Sequence, residues 1–185
     1  METFLIVVGI IGLVFVVMYN SLISKKNQVD NIFAGLDAVL KKRYDLLPNL
    51  VASVQEYTAH EKTTLEKITS LRSQAMQSGA KRDIKIAIDN QLSQALNGLM
   101  ISVENYPDLK ANENFLHLQH TLNELEEQIS AARRAYNQSV TDYNNAIEMF
   151  PTNMMASFMR MERKMVFAIV ESERKSVDVK NLFQK

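Results

Sequence analysis

The feature that most restricts the fold of this chain is an uncharged, largely apolar run at residues 4–23, FLIVVGIIGLVFVVMYNSLI. About 20 helical residues are needed to cross a hydrocarbon core about 30 Å thick, and the run meets that length if the helix reaches Ile23. No Lys or Arg precedes the run and no small-x-small cleavage site follows it, unlike in a signal peptide. The sequence therefore predicts an uncleaved transmembrane anchor over residues 1–24.

The charges that flank the run predict its orientation. Only Glu2 precedes it, whereas five cations follow within about twenty residues, at Lys25, Lys26, Lys41, Lys42 and Arg43. By the positive-inside rule, we expect a single-pass protein of the inner (cytoplasmic) membrane with the bulk of the chain in the cytoplasm. So short an outer segment excludes a receptor for external ligands in this orientation.

The composition excludes several classes of function. With 21 Lys and Arg against 21 Asp and Glu, the chain has no net field to attract nucleic acid. The absence of Cys excludes disulfides, thiolate metal sites and Cys nucleophiles. No GxGxxG, P-loop, HExxH or GxSxG motif occurs. We therefore predict no enzyme activity, catalytic residue, cofactor, metal or nucleic-acid partner.

Apolar residues beyond the anchor recur every three or four positions, as in amphipathic helices. The first stripe comprises Val29, Phe33, Leu36, Leu40, Tyr44, Leu47, Val51 and Val54 and resumes at Leu65, Ile68, Leu71 and Ala75. It predicts one helix of about fifty residues, about 75 Å long. Gly79 is the expected C-terminal residue of that helix.

Three further helices are predicted. The second carries Ile84, Ile88, Leu92, Ala95, Leu99 and Ser102 or Val103, and ends before Pro107. The third carries Phe115, Leu118, Leu122, Leu125, Ile129, Ala132, Tyr136, Val140, Tyr143, Ile147 and Phe150, and ends at Pro151. The fourth covers residues 154 to about 169. The chain is therefore predicted to be all-α, with a bundle of three or four long helices in residues 25–170 and a tail at 171–185.

Pro48 interrupts the first helix within KKRYDLLPNL. Proline lacks the amide that would bond the Tyr44 carbonyl, so we predict a bend rather than a ligand site. The freed carbonyl needs a donor or a water, and Arg43 and Asn49 are the candidate donors. Asp45 is an available partner for Arg43 or for a cation on another helix.

Two Tyr-Asn pairs, Tyr136-Asn137 and Tyr143-Asn144, stand one heptad apart on the third helix. We interpret them as a polar layer that fixes the register of neighbouring helices, with a ligand pocket as the alternative. Arg133 could complete that layer.

Three potential metal ligands, His117, His120 and Glu124, are spaced three and four residues apart on the third helix. Leu118 and Leu122 already occupy the buried stripe. We therefore expect these side chains on the exposed face, and no metal site.

Three motifs, KKRYDLLPNL, YPDLKANENFLHLQ and ARRAYNQSVTDYNNAIEMFP, together with their order along the chain, resemble the LemA family. The resemblance covers nearly the whole chain. It implies a membrane-anchored antiparallel helical bundle whose biochemical activity is not established in the family, with relatives in magnetosome-forming bacteria linked to building an internal membrane. The chain departs from the family after FP, where Arg160 and Met161 stand in place of a common Gly-Phe pair.

The region after Pro151 is rich in Met and basic residues, with Met154, Met155, Met159, Met161 and Met165 among Arg160, Arg163 and Lys164. Such residues either fill a core or lie on an anionic bilayer or in a partner's groove.

The sequence thus predicts a non-enzymatic membrane protein that organises membrane or scaffolds membrane proteins, as a homo-oligomer with an unidentified membrane or cytoplasmic partner. The alternative is a cytoplasmic signalling adaptor coupled to a membrane partner.

Overall fold

The computed structural model describes residues 1–58, 61–77 and 81–167, and this part of the chain is helical without strands. The helices are α1 (Glu2–Tyr57), α2 (Lys62–Ala75), α3 (Arg82–Val103), α4 (Pro107–Lys110), α5 (Glu113–Glu148) and α6 (Thr152–Phe158). This confirms the all-α prediction. Gly79, the predicted end of the fourth helix near Ile169 and the tail at 171–185 lie outside the described residues.

Helix α1 runs without interruption from the apolar segment into the folded part of the chain. Side chains up to Val17 are exposed, and Leu22 is the first that is fully buried. Among the described helices, α1 alone is long and apolar enough to cross a membrane. The predicted anchor and the bundle therefore share one continuous helix.

Helix α5 packs antiparallel against α1 over most of its length. Side chains meet pairwise along the two helices, at Lys25 and Asp142, Phe33 and Tyr136, Arg43 and Glu126, and Tyr57 and Asn112. Each step toward the C-terminus of α1 thus matches an equal step toward the N-terminus of α5. This constant register places the start of α5 beside Glu56 and its end close to the apolar run.

The first predicted helix is wrong in its extent, because the chain breaks after Tyr57 and α2 folds back along α1. Thr58 is extended (φ −129°, ψ 120°), and Arg72 of α2 reaches the Tyr44 carbonyl. A continuous helix would carry Leu65 beyond the point where α5 begins, where none of the described helices could cover it. Folding back buries the second half of the stripe, from Leu65 to Ala75.

Helix α3 runs parallel to α1, because Arg82 contacts Asp30 while Asp89, later on α3, contacts Arg43. The predicted stripe of α3 is wrong at its start, since Ile84 is half exposed and Ile86 is buried instead.

The fourth predicted helix is also wrong in its extent. Helix α6 ends in a Schellman turn, in which the Met161 amide bonds the Ala156 carbonyl and the Arg160 amide bonds the Ser157 carbonyl. Arg160 takes the left-handed conformation (φ 51°) that this turn requires. Residues 161–167, which we call the strap, are neither helix nor strand and run back along α5.

Candidate functional site

A buried polar cluster joins α1, α3 and α5 at Arg43, which is 1% exposed. One terminal nitrogen of its guanidinium donates to Ser93 Oγ at 3.1 Å and to Glu126 Oε2 at 2.7 Å. The other donates to the Asp89 carboxylate. An unpaired charge at this depth would be strongly destabilising, so the partners from two other helices are what permit Arg43 to be buried.

Asp89 is fully buried between two arginines. One carboxylate oxygen accepts from Arg43 and the other from Arg133, which also donates to Ser93 Oγ at 3.3 Å. Arg133 therefore belongs to a polar layer with the Arg43–Asp89 pair, and its predicted place in a layer with the Tyr-Asn pairs is wrong. Together with Glu126, the cluster contains two guanidiniums and two carboxylates, so its charges balance. Such a network fixes helix register and offers no free nucleophile.

Asp89 was missed in the sequence although a signal exists. It stands seven residues before Leu96 and fourteen before Val103, both buried, so an acid occupies the apolar stripe of α3. An acid in such a position needs a cationic partner on another helix.

The Tyr44 carbonyl freed by Pro48 accepts a hydrogen bond from Arg72 Nε at 2.8 Å. The predicted donors, Arg43 and Asn49, are wrong, because Arg43 points into the buried cluster and Asn49 is exposed. Pro48 lies inside continuous α1. Its missing amide therefore creates an attachment point for α2.

Two other residues of the motif have local roles. Asp45 is exposed and pairs with Lys41 at 2.7 Å, one turn earlier, rather than with Arg43. Burial raises the pKa of the Tyr44 phenol, and the nearby Asp89 carboxylate acts in the same direction. Tyr44 is therefore neutral in the core.

The Asn residues of the two Tyr-Asn pairs bind the backbone of the strap. Asn144 Nδ2 donates to the Lys164 carbonyl at 3.0 Å while its Oδ1 accepts from the Lys164 amide at 2.9 Å. Asn137 pairs in the same way with Phe167, at 3.0 and 2.8 Å. The predicted role in helix–helix register is thus wrong for both amides, because their partner is an extended segment.

The Tyr residues add a second row of contacts to the strap. Tyr136 donates to the Met165 carbonyl at 3.1 Å, and Tyr143 donates to the Glu162 carbonyl at 3.0 Å. Burial raises the pKa of both phenols, which keeps them protonated as donors.

The heptad spacing of the pairs matches the geometry of the strap. Seven helical residues advance about 10.5 Å. Three residues of an extended chain advance about 9–10 Å. The two Asn side chains accordingly contact strap residues three apart, Lys164 and Phe167. The two Tyr side chains do the same at Glu162 and Met165. We call this arrangement the Tyr-Asn lock.

Asp30 on α1 connects the strap to α3. Its Oδ1 lies 2.7 Å from both Arg82 and Lys164. Burial raises the pKa of this carboxyl, but hydrogen bonds from Lys164 and Arg82 outweigh burial and hold it below its ordinary value. Arg82 also stacks on Phe33, with 4.5 Å between the guanidinium carbon and the ring centre. No sequence pattern pointed to this contact.

The side chains of His117 and His120 on α5 are exposed. His120 Nδ1 lies 3.5 Å from Glu124 Oε1, and both side chains are exposed. In the part of the chain that the structure describes, no three His, Asp or Glu side chains converge to hold a metal ion.

Comparison with known proteins agrees with the motifs. The model of the LemA family matches residues 32–181. Protein LemA of Metamycoplasma hominis is 30% identical over 97% of this chain and 82% of its own length. Magnetosome protein MamQ 2 of Paramagnetospirillum magneticum is 21% identical, over 90% of this chain and 71% of its own length. Magnetosome protein MamQ of Magnetospirillum gryphiswaldense is 23% identical, over 78% of this chain and 63% of its own length. This chain belongs to the LemA family and is a membrane-associated helical protein.

Proposed function

We propose that this LemA family protein is a non-enzymatic scaffold, anchored in the inner membrane, that works as a homo-oligomer to organise membrane or to hold membrane proteins. The observation that carries the proposal is the continuity of α1, which joins the apolar run to the buried core in one helix. Such a unit holds its bundle at a fixed height and direction above the bilayer.

The contacts of the buried polar groups support a structural role. Arg43 and Arg133 are neutralised by Asp89 and Glu126, and the Tyr-Asn lock is occupied by the chain's own strap. The relatives named as magnetosome proteins favour work at a membrane over work on a soluble substrate.

Anchoring also favours self-association. Copies held in one bilayer share an orientation and a high effective concentration, so weak lateral contacts between bundles can produce ordered assemblies. We propose that these contacts involve cytoplasmic bundles, with the orientation given by the positive-inside rule.

Crosslinking of the full-length protein in intact membranes tests the assembly. We expect a ladder above the monomer that persists when residues 4–21 are replaced by an unrelated apolar span, because membrane confinement is what matters. Removal of the span should weaken the ladder strongly. A full-length protein that stays monomeric at native expression levels would contradict the proposal.

Protease added to intact spheroplasts tests the orientation. We expect residues 27–185 to be protected until the cells are lysed. Digestion before lysis would place the bundle on the outer side of the membrane.

A further inference from the structure

The segment that links α5 to the strap is uncharged and carries exposed apolar side chains. Its residues 149–159, MFPTNMMASFM, lie between Glu148 and Arg160 and contain no charge. Met149, Phe150, Met154 and Phe158 are 63%, 79%, 67% and 86% exposed. Single exposed apolar residues are ordinary, but a contiguous apolar surface marks a site of interaction. Phe150 was predicted to continue the buried stripe of α5, and that prediction is wrong.

This segment lies beside the apolar run of α1. Phe15 lines a cavity of about 310 Å³ together with Met154, Met155 and Phe158. Phe15 stands about 6 Å along the helix beyond Tyr19 and about 12 Å beyond Ile23, toward the N-terminus. Helix α6 is therefore level with the part of α1 that the membrane surrounds.

Basic residues follow α6, where the chain turns back toward the bundle. Lys26 lines a cavity of about 330 Å³ with Arg160, Arg163 and Lys164 of the returning chain. Lys25 and Lys26 follow the apolar run of α1, so the two segments change from apolar to basic at the same level. Cations at this level suit the anionic headgroups of a bilayer.

Several backbone groups of the segment are paired within the protein, as an apolar environment requires. Amides and carbonyls inside a bilayer must be paired within the protein. The Met154 amide bonds the Pro151 carbonyl, and the Schellman turn pairs the Arg160 and Met161 amides at the other end. Thr152 Oγ1 also donates to the Ala146 carbonyl at 2.6 Å.

We infer that residues 149–159 insert into the bilayer beside α1, as an apolar wedge in the leaflet next to the bundle. The occupant of this surface is lipid rather than protein, because the wedge is continuous with the membrane-spanning face of α1 and ends where both segments become basic. The inference rests on the membrane anchoring in the proposed function, but it requires neither scaffolding nor a homo-oligomer.

Spin labels placed by single Cys substitutions test the wedge, since the natural chain has no Cys. We would label full-length Phe158→Cys in vesicles of phosphatidylcholine and phosphatidylglycerol. Accessibility to oxygen, which concentrates in lipid, is compared with accessibility to a water-soluble nickel chelate. Phe15→Cys provides the membrane reference and Gln138→Cys, on the exposed face of α5, the aqueous control. Met154→Cys repeats the test if Phe158→Cys folds poorly.

We expect Phe158→Cys to match the ratio of oxygen to nickel accessibility of Phe15→Cys and to exceed that of Gln138→Cys several-fold. A ratio equal to that of Gln138→Cys would overturn the wedge. A label shielded from both reagents would overturn it as well, because a protein would then cover the surface. The crosslinking of the full-length protein is a separate measurement. If the label shows no insertion but the crosslinked ladder is present, the wedge is refuted and the proposed scaffold is not.

Discussion

The Tyr-Asn lock leads to a sharp prediction at Asn144, which is 7% exposed and pairs with both backbone groups of Lys164. Leucine has a similar size but cannot form either hydrogen bond. Asn144→Leu should therefore weaken the attachment of the strap to α5 while leaving the helices in place. The neighbouring Asn145 is exposed on the same helix, so Asn145→Leu is the matched control.

The magnitude follows from the two hydrogen bonds. Each contributes about 0.5–1.5 kcal/mol net, so the loss of both should make opening of the strap easier by about 1–3 kcal/mol. That range corresponds to a rise of roughly 5- to 150-fold in the opening equilibrium constant. Adding Asn137→Leu should also free the second anchor point, at Phe167, and leave the strap held by the two Tyr hydrogen bonds and the Lys164–Asp30 pair.

Hydrogen exchange at the Lys164 amide measures this opening directly, because that amide is bonded to Asn144 Oδ1. Protection should fall by the stated factor in Asn144→Leu and stay unchanged in Asn145→Leu. Helicity by circular dichroism should be the same in both variants. An unprotected Lys164 amide in the natural protein, or equal protection in both variants, would refute the lock.

Three further predictions concern stability. Arg160→Gly should raise the free energy of unfolding by about 0.5–1 kcal/mol in chemical denaturation, because glycine adopts a positive φ without steric cost. Arg72→Met should cost about 1 kcal/mol in the natural chain but less in a Pro48→Ala background, where the restored amide can bond the Tyr44 carbonyl. Asp30 has a folded-state pKa below its ordinary 3.8, so its contribution is present above about pH 4 and lost as pH falls through the folded pKa. Asp30→Asn should remove that part of an acid unfolding curve.

Each of these has a contradicting outcome. Unchanged or lower stability in Arg160→Gly would mean that the turn carries no strain. Additive effects of Arg72→Met and Pro48→Ala would show that the two groups do not serve one carbonyl. Identical acid curves with and without Asp30→Asn would mean that the contacts of Asp30 with Arg82 and Lys164 do not contribute in solution.

Much of the helical architecture could be predicted, because a stripe with a period of three or four residues depends only on which side chains avoid water. Leu36, Leu40 and Leu47 are buried as their spacing predicts, and so are Leu122 and Ile129 on α5. The membrane-spanning helix could be predicted from the length of the uncharged apolar run alone. The heptad repeat of the Tyr-Asn pairs indicated that the four side chains share one side of α5, and all four contact the strap.

The partners of that face could not be predicted, because spacing along one helix does not identify the element that lies against it. The heptad repeat of the Tyr-Asn pairs fits two kinds of partner. One is another helix contacted every seven residues, and the other is an extended chain contacted every three residues. In the structure the partner is an extended chain, because the left-handed Arg160 at the end of α6 turns the backbone toward Asn144. The resemblance to the LemA family implies a Gly-Phe pair at this point, where this chain has Arg160 and Met161, and that expectation was the available signal for the turn.

The lock and the wedge depend on each other. The chain leaves α5 at Glu148, passes through residues 149–159 beside Phe15, and returns at Lys164 to the level of Asp30. Both ends of the wedge are thus attached to the same pair of helices, so the wedge cannot leave the membrane without moving the bundle or opening the lock. Asn144→Leu should therefore reduce the contrast between oxygen and nickel accessibility at a Phe158 label, although Asn144 lies on the aqueous side. A label that stays at the same depth when strap protection is lost would show that lipid alone holds the wedge.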